Sequence, residues 1–287
     1  VLIGAAQAGT TYAVIYGVLG RQIAPERRSW AMGVAAAAGS FGQFLMAPLA
    51  IGLSASLGWA SAMQVLGLLV LLALPAAWVL KGNALQSAPA GQKRLSAREA
   101  IAEAFRLPSF WMLSAGFLVC GFHVAFLATH LPGVIAECGL PVQVGGWALA
   151  MIGLFNIFGS FGMGWAVGRW RMKSLLSLVY ASRALAITLF LLAPKTEVTV
   201  LVFAAVMGVT FLSTVPPTAG LVAKFFGTAN MAMLFGIVMV AHQVGGFLGA
   251  WLGGRVFEAT GSYNIVWAID ILLAVGAALV HLPIKEK

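Results

Sequence analysis

Several polar side chains of this sequence stand where an apolar chain has little reason to put them. In the stretch "GFHVAFLATHLPGV", residues 121 to 134, His123 and His130 are seven apart. A helix sets them on nearly one face, two turns from each other. Imidazole titrates near neutral pH, so it can bind a proton or pair with a carboxylate. Arg183 and Asp270 lie deep in apolar runs, where a lone charge costs about 2.5–3.5 kcal/mol. They are expected to neutralise each other as a buried pair. Asn156, within "FNIFG", and the neighbours His242 and Gln243 are also mid-run. An amide can hydrogen-bond a substrate carboxylate or bridge two helices. Gln7, Tyr12 and Tyr16 share the first run, and the tyrosines, four apart, lie on one face. Core packing is the commoner use of such a pair. Thr214, Pro216 and Pro217 interrupt another run. A double proline removes backbone hydrogen bonds where two halves must rock or backbone must face a cavity.

Soluble-enzyme chemistry has no matching pattern. There is no nucleotide-binding glycine loop, no Ser, His and carboxylate arrangement, and no metal-ligand spacing. The two cysteines, Cys120 and Cys138, make no metal or redox motif, and Cys120 reads as a small packing residue. No enzyme activity, cofactor or metal is expected.

The elements that must carry these residues are membrane helices. Of the 287 residues, 61% are hydrophobic and only 9% charged, far fewer than the roughly 25% charged residues of a soluble domain. Nine apolar runs of bilayer length are predicted, over 1–20, 30–53, 59–80, 110–131, 144–167, 174–193, 198–222, 231–254 and 262–283. The longest connection, 81–109, is polar and splits three runs from six. Within it "SAREAIAEAF" reads as a short amphipathic helix on the membrane surface, with Ser96 as cap and Glu99 at the capping-box position. Of the 17 Lys and Arg residues, 14 fall in alternate loops: near Arg21 to Arg28, Lys81 to Arg106, Arg169 to Lys173, at Lys224, and at Lys285 and Lys287. By the positive-inside bias these loops, including 81–109 and the C-terminus, are cytoplasmic. The net charge of +9 is therefore spread over short loops and is no nucleic-acid footprint.

The chain also repeats itself. A shift of 203 residues sets Gly33 on Gly236, Gly42 on Gly245, Phe44-Leu45 on Phe247-Leu248, Gly58 on Gly261 and Arg21 on Lys224. The first three runs are thus counterparts of the last three. Runs four to six lack counterparts, which would fall upstream of Val1 across roughly 95 residues. The chain starts apolar, without Met or a charged leader, and is read as a truncated start.

The stretches "APERRSWAMGVAAAAGSFGQFLMAPLA", "GFHVAFLATHLPGV", "GLFNIFGSFGMGWAVGRWRMKSLL", "SRALAI", "HQVGGFLGAWLGGRVFEATGSY" and "HLPIKE" resemble the major facilitator superfamily, in particular its bacterial monocarboxylate-porter-like branch. The resemblance runs along the whole chain, from helix four to helix twelve of that family. It implies an all-α polytopic membrane protein of two six-helix halves, its first three helices absent from this chain. The implied division is 1–80 for the second half of the N-terminal bundle, 81–109 for a cytoplasmic inter-domain loop, and 110–287 for the C-terminal bundle. "GMGWAVGRWRMK" resembles the loop motif between helices eight and nine, but Gly168 stands where that motif usually has an acid, which weakens any charge-relay gate there.

The resemblance also sorts the polar residues. His123 and His130 fall on a helix that lines the central cavity in the family, His130 near the outer gate. Tyr12, Tyr16 and Gln7 fall on another cavity-lining helix. Arg183 and Asp270 fall on supporting helices, which favours a structural pair over an anion anchor or a proton carrier. The function implied is a secondary transporter in the bacterial cytoplasmic membrane. It moves a small organic anion of monocarboxylate type, with a proton, by alternating access. The alternatives are an exporter of hydrophobic compounds and a membrane sensor or structural subunit without flux. The partners expected are the substrate, the proton and the lipid bilayer, and no nucleic acid.

Overall fold

The computed structural model describes residues 11–72, 74, 75, 78 and 96–286. Ten helices follow one another there: α1 (Tyr12–Gln22), α2 (Pro25–Val70), α3 (Ala97–Arg106), α4 (Pro108–Glu137), α5 (Val142–Val167), α6 (Met172–Leu192), α7 (Glu197–Thr210), α8 (Val215–Phe226), α9 (Met231–Thr260) and α10 (Asn264–His281). The described residues contain no strand, and seven helical stretches among them are long and apolar enough to cross a bilayer. The fold is an all-α membrane fold. Gln7 and the rest of residues 1–10, the polar stretch 81–95 and Lys287 lie outside the described residues.

Three boundaries differ from the sequence expectation, each for a backbone reason. The run 30–53 and the start of the run 59–80, as far as Val70, form the two arms of α2, which turns sharply at Gly58, with φ 76° and ψ 161°. Only glycine adopts that region without strain. The run expected to end at 131 continues through Pro132 to Glu137, because a membrane helix packed among others tolerates the lost N–H. The run 198–222 is broken into α7 and α8. Pro216 and Pro217 occupy the first turn of α8, where a helix has no use for their N–H groups.

The internal repeat reappears as geometry. Adding the 203-residue offset to α1, residues 12–22, gives 215–225, and α8 is Val215–Phe226. The equivalent glycines Gly58 and Gly261 both turn the chain at positive φ, 76° and 69°. Between 81 and 109, α3 carries the predicted capping box. The Glu99 N–H donates to Ser96 Oγ at 3.3 Å, and the Ser96 N–H donates to Glu99 Oε2 at 2.8 Å.

Helix α4 packs most extensively on α9, α5 on α2 and then on α7, and α6 on α10. With lipid as solvent, such pairs are held by close van der Waals contact and not by hydrophobicity. A Cβ at Gly121, Gly245 or Gly249 would collide with the facing backbone of the α4–α9 pair. The N-terminal pair α1–α2 meets the α4–α10 bundle from the end of the basic loops to mid-helix, where a Cβ on Gly153 would lie 3.2 Å from Phe44 Cα. A Cβ on Gly164 would lie 2.6 Å from Gly33 Cα, and one on Gly20 would lie 2.9 Å from Met231 Sδ. The α4–α10 core is two apolar blocks. One gathers Phe110, Phe117, Tyr180 and Leu221, and the other Phe126, Phe190, Phe203 and Trp267. On α4 the changeover falls between Cys120 and Phe122, and a polar layer occupies it.

Candidate functional site

The polar layer is built from four helices around the α7–α8 break. Cys120 and His123 come from α4, one turn apart; Arg183 comes from α6, Asp270 from α10 and Asn156 from α5. His123 and Arg183 are 1% exposed, and Asn156 and Asp270 not at all. The break leaves backbone groups without helical partners, and two side chains take them up. Arg183 Nη2 donates to the carbonyl of Phe211 at 2.8 Å and to that of Thr210. Asn156 Oδ1 accepts the N–H of Leu212 at 3.0 Å and the Ser160 hydroxyl at 3.2 Å. Each is the complementary group: a guanidinium has only donors, and an amide oxygen only accepts. Asn156 Nδ2 is buried without a hydrogen-bond partner among the described residues.

The other arm of the guanidinium reaches into the layer. Arg183 Nη1 lies 3.3 Å from His123 Nδ1 and 3.7 Å from Cys120 Sγ. Because arginine can only donate, His123 Nδ1 accepts, and the imidazole proton is assigned to Nε2. Nε2 then points at Asp270, 3.2 Å from its backbone carbonyl. Asp270 Oδ1 is 3.1 Å from the same nitrogen, but outside hydrogen-bond angles, so both carboxylate oxygens are buried without a hydrogen bond among the described residues. Cys120 Sγ is 3.0 Å from Thr214 Oγ1.

A direct Arg183–Asp270 ion pair, expected from the sequence, is not formed among the described residues. His123 stands between the two groups, because the guanidinium is committed to the broken end of α7. His123, expected on a cavity-lining helix, is instead enclosed with Cys120 among α4, α6, α8 and α10. His130, two turns on, has other partners. Its Nε2 donates to the Ala250 carbonyl at 2.8 Å, and its Nδ1 is 3.4 Å from the Tyr263 hydroxyl.

A second set of residues runs along the contact between the N-terminal pair and the larger bundle. Ring centroids step from Tyr12 to Tyr16 (5.5 Å), to Phe235 (6.0 Å), to Phe117 (6.0 Å) and to His242 (4.8 Å). Tyr16 is fully buried and its hydroxyl donates to the Met32 carbonyl at 2.8 Å. His242 is half-buried near the middle of α9, with Nδ1 3.2 Å from Gln243 Oε1, and Gln243 is exposed. The structure therefore separates the candidates. His123, Arg183, Asp270 and Asn156 fall inside the bundle with Thr214 and the prolines. Tyr12 and Tyr16 fall along the contact between units, and His242 lies in the larger bundle beside Phe117 and Cys120 of α4. Cys120, read from the sequence as a packing residue, is buried in this layer; sequence reading missed that Tyr180 and His281 stack at 5.2 Å beside it. The signal for the brace was present: a double proline, with an arginine and an asparagine at similar depth in neighbouring runs.

Comparison with known proteins follows the same lines. The family model described as Major Facilitator Superfamily matches residues 1–250 and 131–287. An uncharacterized MFS-type transporter of Bacillus subtilis (strain 168), YcxA, is 24% identical over 274 residues, covering 90% of this chain and 64% of its own length. YhjX of Escherichia coli (strain K12), also an uncharacterized MFS-type transporter, is 25% identical over 50% of this chain and 36% of its own length. Monocarboxylate transporter 13 of Rattus norvegicus is 27% identical over 57% of this chain and 38% of its own length. The chain thus spans less than two thirds of each of these relatives. Among solved structures, the MFS transporter FucP in its outward conformation superposes with a TM-score of 0.67 at 15% identity, covering 95% of this chain and 72% of that one.

Proposed function

The chain belongs to the Major Facilitator Superfamily, and from that premise we propose that it is the larger part of a secondary active transporter. It moves a small organic anion of monocarboxylate type together with a proton, by alternating access. The observation that carries the site is the placement of His242. It is half-buried near the middle of α9, against Phe117 of α4, while His123, Arg183 and Asp270 are fully enclosed. A group that must meet substrate from both sides cannot be fully enclosed. A protonated His242 with the Gln243 amide offers a carboxylate one charge and further hydrogen-bond donors. Tyr12 adds a phenol from the other half.

The division into 1–80, 81–109 and 110–287 assigns α1 and α2 to one half and α4–α10 to the other, with three further helices upstream. The basic loops face the cytoplasm of a bacterial inner membrane. In that orientation the Gly33–Gly164 and Gly20–Met231 contacts close the cytoplasmic end, as in a state open to the outside. The 27% identity to a monocarboxylate transporter supports the substrate class. A second reading, export of apolar compounds, draws on the aromatic ladder from Tyr12 to Phe117.

The test is uptake into vesicles by the purified protein. Labelled short-chain monocarboxylates should accumulate under an inward proton gradient. His242→Gln should abolish accumulation while carboxylate exchange persists. Accumulation unchanged by H242Q removes His242 from the proton path. Gradient-driven extrusion of an apolar dye, with no carboxylate flux, decides for the exporter.

A further inference from the structure

At the end of the basic loops a cleft of about 520 Å³ opens between α3, the end of α8 and the C-terminal tail. Its rim carries Arg106, Lys224 and Lys285 against one acid, Glu103, and its floor is Leu107 and Phe226. Two of the three cations have no acidic partner among the described residues. Lys224 pairs with Glu286 at 3.3 Å while 41% exposed. The side chains of Arg106 and Lys285 make no hydrogen bond or ion pair among the described residues. Glu286 is turned away from the cleft's remaining charges, since its second oxygen accepts the Lys173 N–H at 3.2 Å.

Behind the floor, the buried ring of Phe110 links it to two exposed aromatics of the same end. Phe226 meets Phe110 at 5.8 Å, Phe110 meets Phe105 at 6.2 Å, and Phe105 meets Trp111 at 5.1 Å. Phe105 and Trp111 are 45% and 54% exposed, and the indole N–H donates to the Phe105 carbonyl at 3.0 Å. Exposed Trp and Phe beside an amphipathic helix mark headgroup depth. Three cations converge there over an apolar floor, open toward the bilayer.

We propose that this cleft is a binding site for the phosphate of an anionic glycerophospholipid, with Arg106 and Lys285 as its principal ligands, Lys224 as support, and the Leu107–Phe226 floor against the glycerol and first acyl carbons. The phosphodiester matches the donors in charge, and Arg106 can engage two of its oxygens at once. The lipid fits better than a free phosphate because the cations stand over an apolar floor of Leu107, Phe225 and Phe226, with exposed Phe105 and Trp111 at the same end. Bound there, it joins α3, which precedes the larger bundle, to the tail that follows it.

The experiment is native mass spectrometry of the purified protein with phosphatidylglycerol or phosphatidylcholine micelles. A parallel thermal-shift series uses glycerol 3-phosphate, the same phosphate without the chains. Phosphatidylglycerol should be retained in preference to phosphatidylcholine. Arg106→Gln and Lys285→Gln should each reduce that preference by about fivefold, the size expected of one basic side chain at an anionic surface. Both positions are exposed, so folding is preserved, and Glu103→Gln supplies a change of opposite sign by raising retention. No preference in the wild type, or a preference that R106Q and K285Q leave intact, overturns the site. A glycerol 3-phosphate shift that equals the lipid effect assigns the cleft to a soluble phosphate and overturns the lipid.

Discussion

Arg183 Nη2 lies 2.8 Å from the carbonyl oxygen of Phe211, so a charged side chain of α6 caps the broken end of α7. A buried arginine at membrane depth is commonly read as a substrate anchor. Here its donors go to backbone that the α7–α8 break has orphaned and to His123. The opposite polarity at the same break, the Leu212 N–H, goes to Asn156.

Arg183→Leu should therefore destabilise the protein and not merely silence it. It strips the Thr210 and Phe211 carbonyls and His123 Nδ1 of donors. At about 0.6 kcal/mol for an average interhelical hydrogen bond in a membrane protein, the loss is roughly 2 kcal/mol. Thermal unfolding in detergent should show the drop, with Arg183→Lys recovering part of it. Normal unfolding with lost anion binding would instead make Arg183 the anchor.

Asp270→Asn should be mild. Neither carboxylate oxygen has a hydrogen bond to lose, and the amide removes a buried charge. The unfolding temperature should hold or rise, and the same change should lessen the penalty of Arg183→Leu when the two are combined. A loss as large as that of Arg183→Leu would show that Asp270 carries a contact of its own.

Asn156→Leu keeps the volume and removes the acceptor of the Leu212 N–H. A buried donor left without a partner costs about 1–3 kcal/mol. Hydrogen exchange at Leu212 should accelerate while amides in α10 keep their protection. Unchanged exchange at Leu212 would mean that another group caps the break.

Cys120 should resist a membrane-permeant maleimide in the folded protein. Its thiol is fully buried against Thr214 and Arg183. Cys138, partly exposed at the end of α4, should react first. Prompt, substrate-protected labelling of Cys120 would restore the wet face that its place on α4 suggests.

The cap of α3 should be acid-sensitive. The Ser96 backbone N–H, and then its hydroxyl, hold the Glu99 carboxyl below its ordinary value. A lowered folded value means that this stabilisation is fully present above the unfolded value of about 4.3 and is lost as pH falls through the lowered one. Amide protection over 97–106 should fall below about pH 4 and should lose that dependence in Glu99→Gln.

The sequence by itself determined the helices, the basic and non-basic ends and the 203-residue repeat. Each rests on local or periodic information: apolar run length, lysine and arginine in loops, and glycines such as Gly58 and Gly261 whose backbone angles other residues avoid. It determined also which polar residues lie at membrane depth. Tertiary structure alone decided what those residues do. His123 and Asp270 are 147 positions apart and Arg183 and Phe211 are 28 apart, and no periodicity along one helix states which neighbour a face will meet. The Arg183–Asp270 pair was a sound inference from charge, but it omitted the backbone carbonyls that the α7–α8 break releases. Backbone polarity is invisible in a sequence until a helix ends, and in a bilayer those carbonyls must find a donor, so the nearest guanidinium goes to them first.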